Sequence, residues 1–172
     1  IKMKYLVVSD NHGKRAVLEN LFAHYKDEVD YMIHCGDSEF DADDPLWQGV
    51  FVVTGNCDYD NNYHQNLVIE TPLDKILVTH GHLYDVRFGL NRLSLKAQEV
   101  GANLTLFGHT HQIACEKSGD YLFLNPGSIA QPRGTILEKS YCIIESTKDE
   151  FNVQYFRNDF TKISNLSFIF KK

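Results

Sequence analysis

The 172 residues are 43% hydrophobic and 23% charged, a composition that excludes a disordered or fibrous chain and favours one globular domain over residues 1–172. The net charge of −6 argues against a broad basic surface for binding nucleic acid. The four cysteines form no C-x-x-C pair, which excludes a zinc ribbon and fits a reducing, cytoplasmic setting. No apolar run is long enough for a signal-peptide core or a membrane span.

The first half of the chain predicts an α/β arrangement. Apolar runs at 4–9 and 31–36 predict two strands, and the helical spacing of apolar residues over 17–25 predicts a helix between them. A strand, a helix and a strand in this order predict a parallel pair. Further strands are expected at 49–56, 75–81 and 104–111, with a second helix over 90–100.

The second half of the chain has a different pattern of apolar and polar residues. Short strand candidates at 112–117, 120–127, 140–146 and 150–156 are separated by polar turns, with no helical pattern between them. This spacing predicts an antiparallel meander. Residues 164–172 fit a last strand, a docking segment or a frayed end equally well.

Five predicted strands end in turns that carry Asp, His or Asn, often beside a glycine. In an open α/β sheet, ligands bind outside the carboxyl ends of the strands, so these turns are expected to converge on one crevice. The side chains in question are Asp10 and His12, Asp37, Asn56 with Cys57 and Asp58, His80 and His82, and His109 and His111.

These side chains are typical ligands of divalent cations. A single G-D or G-N pair is ordinarily only a turn, but five of the eight histidines lie in these turns, which core packing does not explain. A set of His, Asp and Asn suits Mn²⁺, Fe²⁺, Zn²⁺ or Ni²⁺. The ligands are too many for one ion and suit two ions that share a carboxylate, an arrangement that clamps a phosphate and activates a water.

The order D-x-H, G-D, G-N-x-D, T-H-G-H and G-H-T-H resembles the calcineurin-like metallophosphoesterase superfamily, and most of all its small single-domain phosphodiesterases from bacteria and archaea. The segment 124–134, "LNPGSIAQPRG", resembles a later loop of the same branch. The resemblance implies a four-layer αββα sandwich with a dinuclear metal site at one edge.

The resemblance also implies a role for each ligand. Asp37 would bridge the two ions, for which Mn²⁺ is expected, with Fe²⁺, Ni²⁺ and Zn²⁺ as alternatives. His109 and His111 would lie on an extended segment, point the same way and serve different ions. One ion would be held by Asp10, His12, Asp37 and His111, and the other by Asp37, Asn56, His80 and His109.

One position departs from the larger members of the superfamily, which have a histidine after the asparagine. Cys57 and Asp58 stand here instead and become candidate catalytic residues, together with Asp37, Asn56 and His82. A thiol can give a proton to a leaving group but adds no positive charge, so we expect weaker help for poor leaving groups. Cys57 fits a small filler equally well, and His82 fits a second contact around the metal, a phosphate contact or a simple turn residue.

Three functions remain open at this point. The leading hypothesis is a metal-dependent phosphodiesterase acting on a small phosphodiester, with nucleotide, cyclic nucleotide and lipid-derived esters all eligible. The alternative is a non-catalytic scaffold on the same fold, since the superfamily contains a vesicle-coat subunit that lacks the bridging acid. A mononuclear zinc hydrolase would leave half of the polar set unexplained. A homo-oligomer is neither indicated nor excluded.

Overall fold

Two β-sheets face each other in the computed structural model, which describes residues 1–172, and an α-helix covers the outer side of each sheet. The first sheet has the strand order β11-β10-β9-β1-β2-β3, and the second has the order β4-β5-β6-β8-β7. The elements are β1 (Met3–Val8), α1 (Arg15–Tyr25), β2 (Tyr31–His34), β3 (Val50–Val52), β4 (Asn66–Glu70), β5 (Lys75–Thr79), α2 (Asn91–Val100), β6 (Leu104–Leu106), β7 (Ile113–Ser118), β8 (Tyr121–Pro126), β9 (Ser140–Ser146), β10 (Glu150–Arg157) and β11 (Lys162–Lys171).

Strand β1 shows how the layers are held together. Successive side chains of a strand point to opposite faces, so Tyr5 and Val7 enter the core between the sheets, while Leu6 and Val8 pack beneath α1. All four side chains are fully buried. A third apolar cluster joins α2 to the second sheet. The three clusters separate four layers, which confirms the predicted αββα sandwich.

The parallel strands were predicted correctly. β1 pairs with β2, β2 with β3 and β5 with β6, all in parallel, and both predicted helices form. Strand β4 was not predicted, because only Ile69 among its residues is buried and Val68 is 43% exposed. An edge strand with so little buried surface lacks the continuous apolar run that marks the central strands.

The prediction of a single meander in the second half was wrong. β7 and β8 form an antiparallel hairpin in the second sheet, where β8 also pairs in parallel with β6. β9, β10 and β11 form a meander in the first sheet, next to β1. Nearly every residue of β9 is buried, and such a strand needs a partner on both sides, which β1 and β10 provide.

The sequence did not decide the structure of residues 164–172. Residues 164–171 belong to β11, a ten-residue edge strand, and Lys172, which follows this strand, forms an ion pair with Asp74. Lys172 Nζ donates to Asp74 Oδ1 at 2.6 Å. Tyr5 and Ser146 donate their hydroxyls to Asp74 Oδ2 at 2.6 and 2.5 Å. Burial opposes ionisation of Asp74, but these hydrogen bonds, led by that of Lys172, hold its pKa below the ordinary value. No helix of the chain is long and apolar enough to cross a membrane.

Replacing Asp74 with Asn should destabilise the protein. The variant leaves the Lys172 ammonium without its partner, so the free energy of unfolding at pH 7 should fall by about 2–3 kcal/mol in urea titrations. Because the pKa of Asp74 is lowered in the folded state, its contribution is complete above the unfolded value near ~4 and is lost as the pH falls below it.

The difference in free energy of unfolding between wild type and Asp74→Asn should therefore become smaller as the pH falls from about 5 to 3. Asp120→Asn is the matched control, since Asp120 is exposed in the β7–β8 turn. If the difference in free energy of unfolding between wild type and Asp74→Asn stayed constant over this pH range, the stabilising role of the ionised Asp74 carboxylate would be contradicted.

Candidate metal centre

The loops that follow five parallel strands meet at one edge of the sandwich. The loops after β1, β2 and β3 come from the first sheet, and the loops after β5 and β6 come from the second. All seven predicted metal ligands lie in these loops, and the structure brings them together. They are Asp10, His12, Asp37, Asn56, His80, His109 and His111.

The first group of donor atoms surrounds Asp10, whose side chain is fully buried. Its Oδ1 lies 3.2 Å from His111 Nε2 and 3.6 Å from His12 Nε2. The two imidazole nitrogens are themselves 3.0 Å apart. Asp10 Oδ1 has no hydrogen-bond partner, and an unpartnered buried carboxylate oxygen is costly in free energy. This atom and its two neighbours therefore fit a cation.

The second group of donor atoms surrounds Asn56. Its Oδ1 lies 3.1 Å from His80 Nε2 and 3.0 Å from His109 Nδ1. One neutral oxygen and two imidazole nitrogens again suit a divalent cation of borderline hardness.

Asp37 lies between the two groups. Its Oδ2 is 3.2 Å from His80 Nε2 in the second group and 3.8 Å from His12 Nε2 in the first. Its Oδ1 accepts the backbone N–H of Cys57 at 2.8 Å, which fixes the carboxylate. One oxygen that faces both groups has the placement a bridging ligand requires, and the bridging role itself stays a prediction.

Three of the histidines are oriented by acceptors behind them. The Nδ1–H of His80 donates to Cys35 O at 2.8 Å, and that of His111 donates to Gln131 O at 2.7 Å. His12 Nδ1 faces Glu39 Oε2 at 3.1 Å. A proton on Nδ1 leaves the lone pair of Nε2 directed at the site, as in most metal-binding histidines.

The charges of the site suit cations. Burial alone would raise the pKa of Asp10, but contacts with His111 and His12 hold it far below its ordinary value. Burial also opposes ionisation of Asp37, and its contacts with His80 lower the pKa. Both carboxyl groups are therefore ionised at neutral pH.

The backbone is strained at five of the seven predicted ligands. Asp10, His12, Asp37, His109 and His111 have φ of 57°, 43°, 59°, 71° and 60°. Left-handed conformations at non-glycine residues cost about 1–3 kcal/mol each and cluster at functional sites. The expectation of an extended segment at His109 and His111 is corrected here: both lie in a left-handed turn after β6. They nevertheless face different donor groups.

Glycines in the motifs make room for the ligands. A Cβ on Gly36 would lie 2.8 Å from His80 Nδ1, and one on Gly108 would lie 2.5 Å from Asp10 Oδ2. A Cβ on Gly55 would overlap Asp37 Oδ1. These glycines therefore allow the close approach of neighbouring loops, beyond the freedom to turn.

Asp58 holds the loop of Asp37 in place. Its Oδ2 accepts the backbone N–H groups of Asp37 and Gly55 at 2.9 and 2.7 Å, and its Oδ1 accepts that of Glu39 at 2.7 Å. This geometry favours positioning over contact with a substrate, and the predicted catalytic role of Asp58 has no direct support in it.

Cys57 and His82 border the site. Burial and the negative charge of Asp37 raise the pKa of Cys57 to about 11, so its thiol is protonated at neutral pH. The Nδ1 atom of His82 is buried without a partner, and its ring centroid lies 5.4 Å from that of His80. Burial, followed by the charge of His80, lowers the pKa of His82. Both groups are neutral beside the carboxylates.

Two further charged side chains contact the predicted ligands and were not predicted. Glu39 faces His12, and Arg87 Nε donates to His109 Nε2 at 3.2 Å. Glu39 lies two residues after Asp37 in an irregular loop, and Arg87 lies in a short 3₁₀ turn, Val86–Phe88. Neither position follows a periodic pattern or a recognisable motif, so the sequence offered no signal for them.

Comparison with known proteins identifies the family of the chain. Residues 3–149 match the calcineurin-like phosphoesterase superfamily domain, and the chain belongs to this superfamily of metal-dependent phosphoesterases. It is 37% identical over 164 residues to the probable metallophosphoesterase YsnB of Bacillus subtilis, covering 95% of this chain and 96% of that protein. Phosphodiesterase YfcE of Escherichia coli is 32% identical over 93 residues, covering 49% of this chain and 47% of that protein.

Solved structures share the fold. A conserved uncharacterized protein from Streptococcus pneumoniae TIGR4, described as a predicted phosphoesterase, is 41% identical with a TM-score of 0.98, covering 100% of this chain and 99% of that one. Vps29 from Entamoeba histolytica, complexed with Zn²⁺, is 19% identical with a TM-score of 0.73, covering 99% of this chain and 98% of that one. The second likeness extends to the fold alone.

Replacing Gly55 with Ala should disturb the metal ligands. The new Cβ would push against Asp37 Oδ1, so we expect the affinity for Mn²⁺ in isothermal titration calorimetry to fall by about 10–100-fold. Gly119→Ala is the control: Gly119 has a φ of 58° in a hairpin turn with open space around it, so backbone strain is its only expected effect. Equal Mn²⁺ affinity in wild type and Gly55→Ala would contradict the packing argument.

Proposed function

We propose that the chain is a phosphodiesterase that hydrolyses small phosphodiesters with two divalent cations. The observation that carries this proposal is the placement of Asp37 Oδ2 between two donor groups, 3.2 Å from His80 and 3.8 Å from His12. The unpartnered Oδ1 of Asp10 supports it, since a buried anion among imidazoles suits a cation. The similarity to phosphodiesterase YfcE supports the choice of a diester.

Each donor group would hold one cation, and Asp37 would belong to both. The oxygen and nitrogen donors favour Mn²⁺, with Fe²⁺, Ni²⁺ and Zn²⁺ as alternatives. The chemistry that two cations would supply at these residues is a lowered pKa of a bound water and neutralisation of the phosphoryl oxygens of the substrate. The first site comprises Asp10, His12, Asp37 and His111, and the second comprises Asp37, Asn56, His80 and His109.

The residues of the chain hold this arrangement in advance of substrate. The carbonyls of Cys35 and Gln131 fix the rings of His80 and His111, and Asp58 fixes the loop of Asp37. Asn56 contributes an oxygen without negative charge, which keeps its cation electrophilic. Such preorganisation lowers the cost of reaching the transition state, because the groups do not have to reorient.

Cys57 is the group proposed to give a proton to the leaving group. Its raised pKa of about 11 keeps the thiol protonated at neutral pH, beside Asp37. A neutral thiol supplies a proton but no positive charge, so esters with good leaving groups should be cleaved best.

Asp37→Asn should remove the shared ligand. Wild type is expected to bind two equivalents of Mn²⁺ by elemental analysis and to hydrolyse bis(p-nitrophenyl) phosphate. The variant should lose metal and lower kcat/KM by at least about a hundredfold, since even indirect metal contacts cost 10–100-fold. Asp43→Asn is the matched control, because Asp43 lies in the same β2–β3 connection as Asp37 but is exposed.

Three results would overturn parts of this proposal. Wild-type turnover in Asp37→Asn would rule out the bridge. One equivalent of metal in a fully active enzyme would favour the mononuclear hydrolase. Full metal occupancy without turnover of any phosphoester would favour the non-catalytic scaffold.

Cys57→Ala should distinguish between leaving groups. The backbone N–H of residue 57 still reaches Asp37, so the metal ligands remain in place. Turnover of bis(p-nitrophenyl) phosphate should change little, whereas cleavage of an alkyl ester that needs a proton should slow by about a hundredfold. Paired kcat measurements check this expectation. An equal loss for both esters would assign Cys57 to packing instead.

A further inference from the structure

A cleft of about 340 Å³ adjoins the metal centre. It begins beside His109, where Thr110 contributes to its wall, and extends between the segment 86–90 and the start of β7. Five of its lining residues are apolar, and Thr110, Gln112 and Glu116 add polar groups beside them. The apolar residues are Val86, Leu90, Phe107, Ile113 and Ala114. The one cationic side chain in its wall is Arg87, which also contacts the predicted ligand His109. Arg87 therefore connects the cleft to the second donor group.

Arg87 and Arg133 are the two arginines of the chain without a carboxylate partner, and of these two only Arg87 lines the cleft. Arg15 pairs with Asp44, Arg92 pairs with Asp85 and Arg157 pairs with Glu138. The guanidinium of Arg87 has no carboxylate partner, and its one hydrogen bond goes from Nε to His109 Nε2. It is thus a free positive charge at the junction of the cleft and the metal centre.

The contact between Arg87 and His109 depends on the proton of the histidine. Nε2 accepts from Arg87, so the ring proton lies on Nδ1, which faces Asn56 Oδ1. If His109 binds a cation through Nδ1, the remaining proton must lie on Nε2. Two N–H groups would then oppose each other, so a cation held at Nδ1 would free the guanidinium of Arg87 from His109.

We propose that Arg87 and this cleft form the subsite for an aromatic group of the substrate. Arg87 contacts a phosphoryl oxygen, and the planar group packs against the apolar wall. The inference rests on the phosphodiesterase function proposed above and narrows its substrate class to diesters that carry at least one aromatic ring, such as aryl or nucleoside esters.

The chemistry of the cleft favours such a group over a small polar alcohol. A guanidinium binds phosphate oxygens through directed hydrogen bonds and also packs on aromatic faces. The five apolar side chains gain free energy when a planar ring covers them, and a glycerol ester has less apolar surface to cover them with.

The test compares phenylphosphonate with methylphosphonate as ligands of the Mn²⁺-loaded protein. The two share a phosphonate head group with a C–P bond that resists hydrolysis, and they differ in the ring. Isothermal titration calorimetry should give a Kd for phenylphosphonate at least about tenfold lower than that for methylphosphonate. This measurement needs no turnover.

Three substitutions separate the parts of the subsite. Ala114→Leu fills the cleft and should remove the preference for the ring while leaving the Kd of methylphosphonate unchanged. Leu90→Ala removes part of the apolar wall and should weaken the preference for the ring. This variant serves as the test if the larger side chain of Ala114→Leu prevents folding. Arg87→Gln should weaken both ligands by about tenfold. Arg92→Gln is the control, since Arg92 pairs with Asp85 and does not line the cleft.

The results that overturn the inference are distinct from those that overturn the enzyme. Equal Kd values for the two phosphonates, or a ring preference that survives both Ala114→Leu and Leu90→Ala, would exclude the subsite even if bis(p-nitrophenyl) phosphate is hydrolysed. Failure to bind Mn²⁺, either phosphonate and any phosphodiester would exclude the phosphodiesterase together with its subsite.

Discussion

The buried carboxylate of Asp10 is the constraint on which the rest of the site depends. One oxygen is held by the hydroxyl of Ser9 and by the backbone N–H of His109, a residue that follows a strand of the other sheet. The other oxygen faces only imidazoles. Gly108 has no side chain at the point where one would meet this carboxylate. A single buried charge therefore determines the approach of the two sheets at this edge and the chemistry of the groups around it.

The strain at the ligands is offset elsewhere in the fold. Five left-handed ligand residues cost free energy that the turns themselves do not recover. The three apolar clusters between the layers supply the favourable term. The two ends of the five-residue strand β5 differ in this respect. Asp74, just before the strand, is fully hydrogen-bonded, whereas His80, just after it, belongs to the edge with the strained backbone. Stability and reactivity thus lie at opposite ends of the same strand.

The sequence predicted most of this architecture, for identifiable physical reasons. Buried parallel strands are continuous apolar runs, so β1, β2, β5 and β6 were predicted correctly. The polar residues that follow these runs are conspicuous, so the sequence also indicated the seven side chains that converge at this edge. Strand β4 was missed because it buries one side chain fully, and the sheet change between β8 and β9 was missed because local patterns do not say which sheet a strand joins. The left-handed turn at His109 and His111 and the contact of Arg87 with His109 depend on tertiary approach, for which a single sequence carries no local signal.

Each donor group takes atoms from both sheets, and this has a consequence for the interior. Asp10 and His12 meet His111 across the sandwich, and Asn56 meets His80 and His109 in the same way. A slide of one sheet over the other would pull both groups apart at once. The apolar side chains between the sheets therefore fix the separation of the sheets, and with it the distances between the donor atoms at this edge. Residues such as Val7 and Val78, which lie in the core between the sheets, are therefore constrained by the geometry of the donor groups as well as by burial.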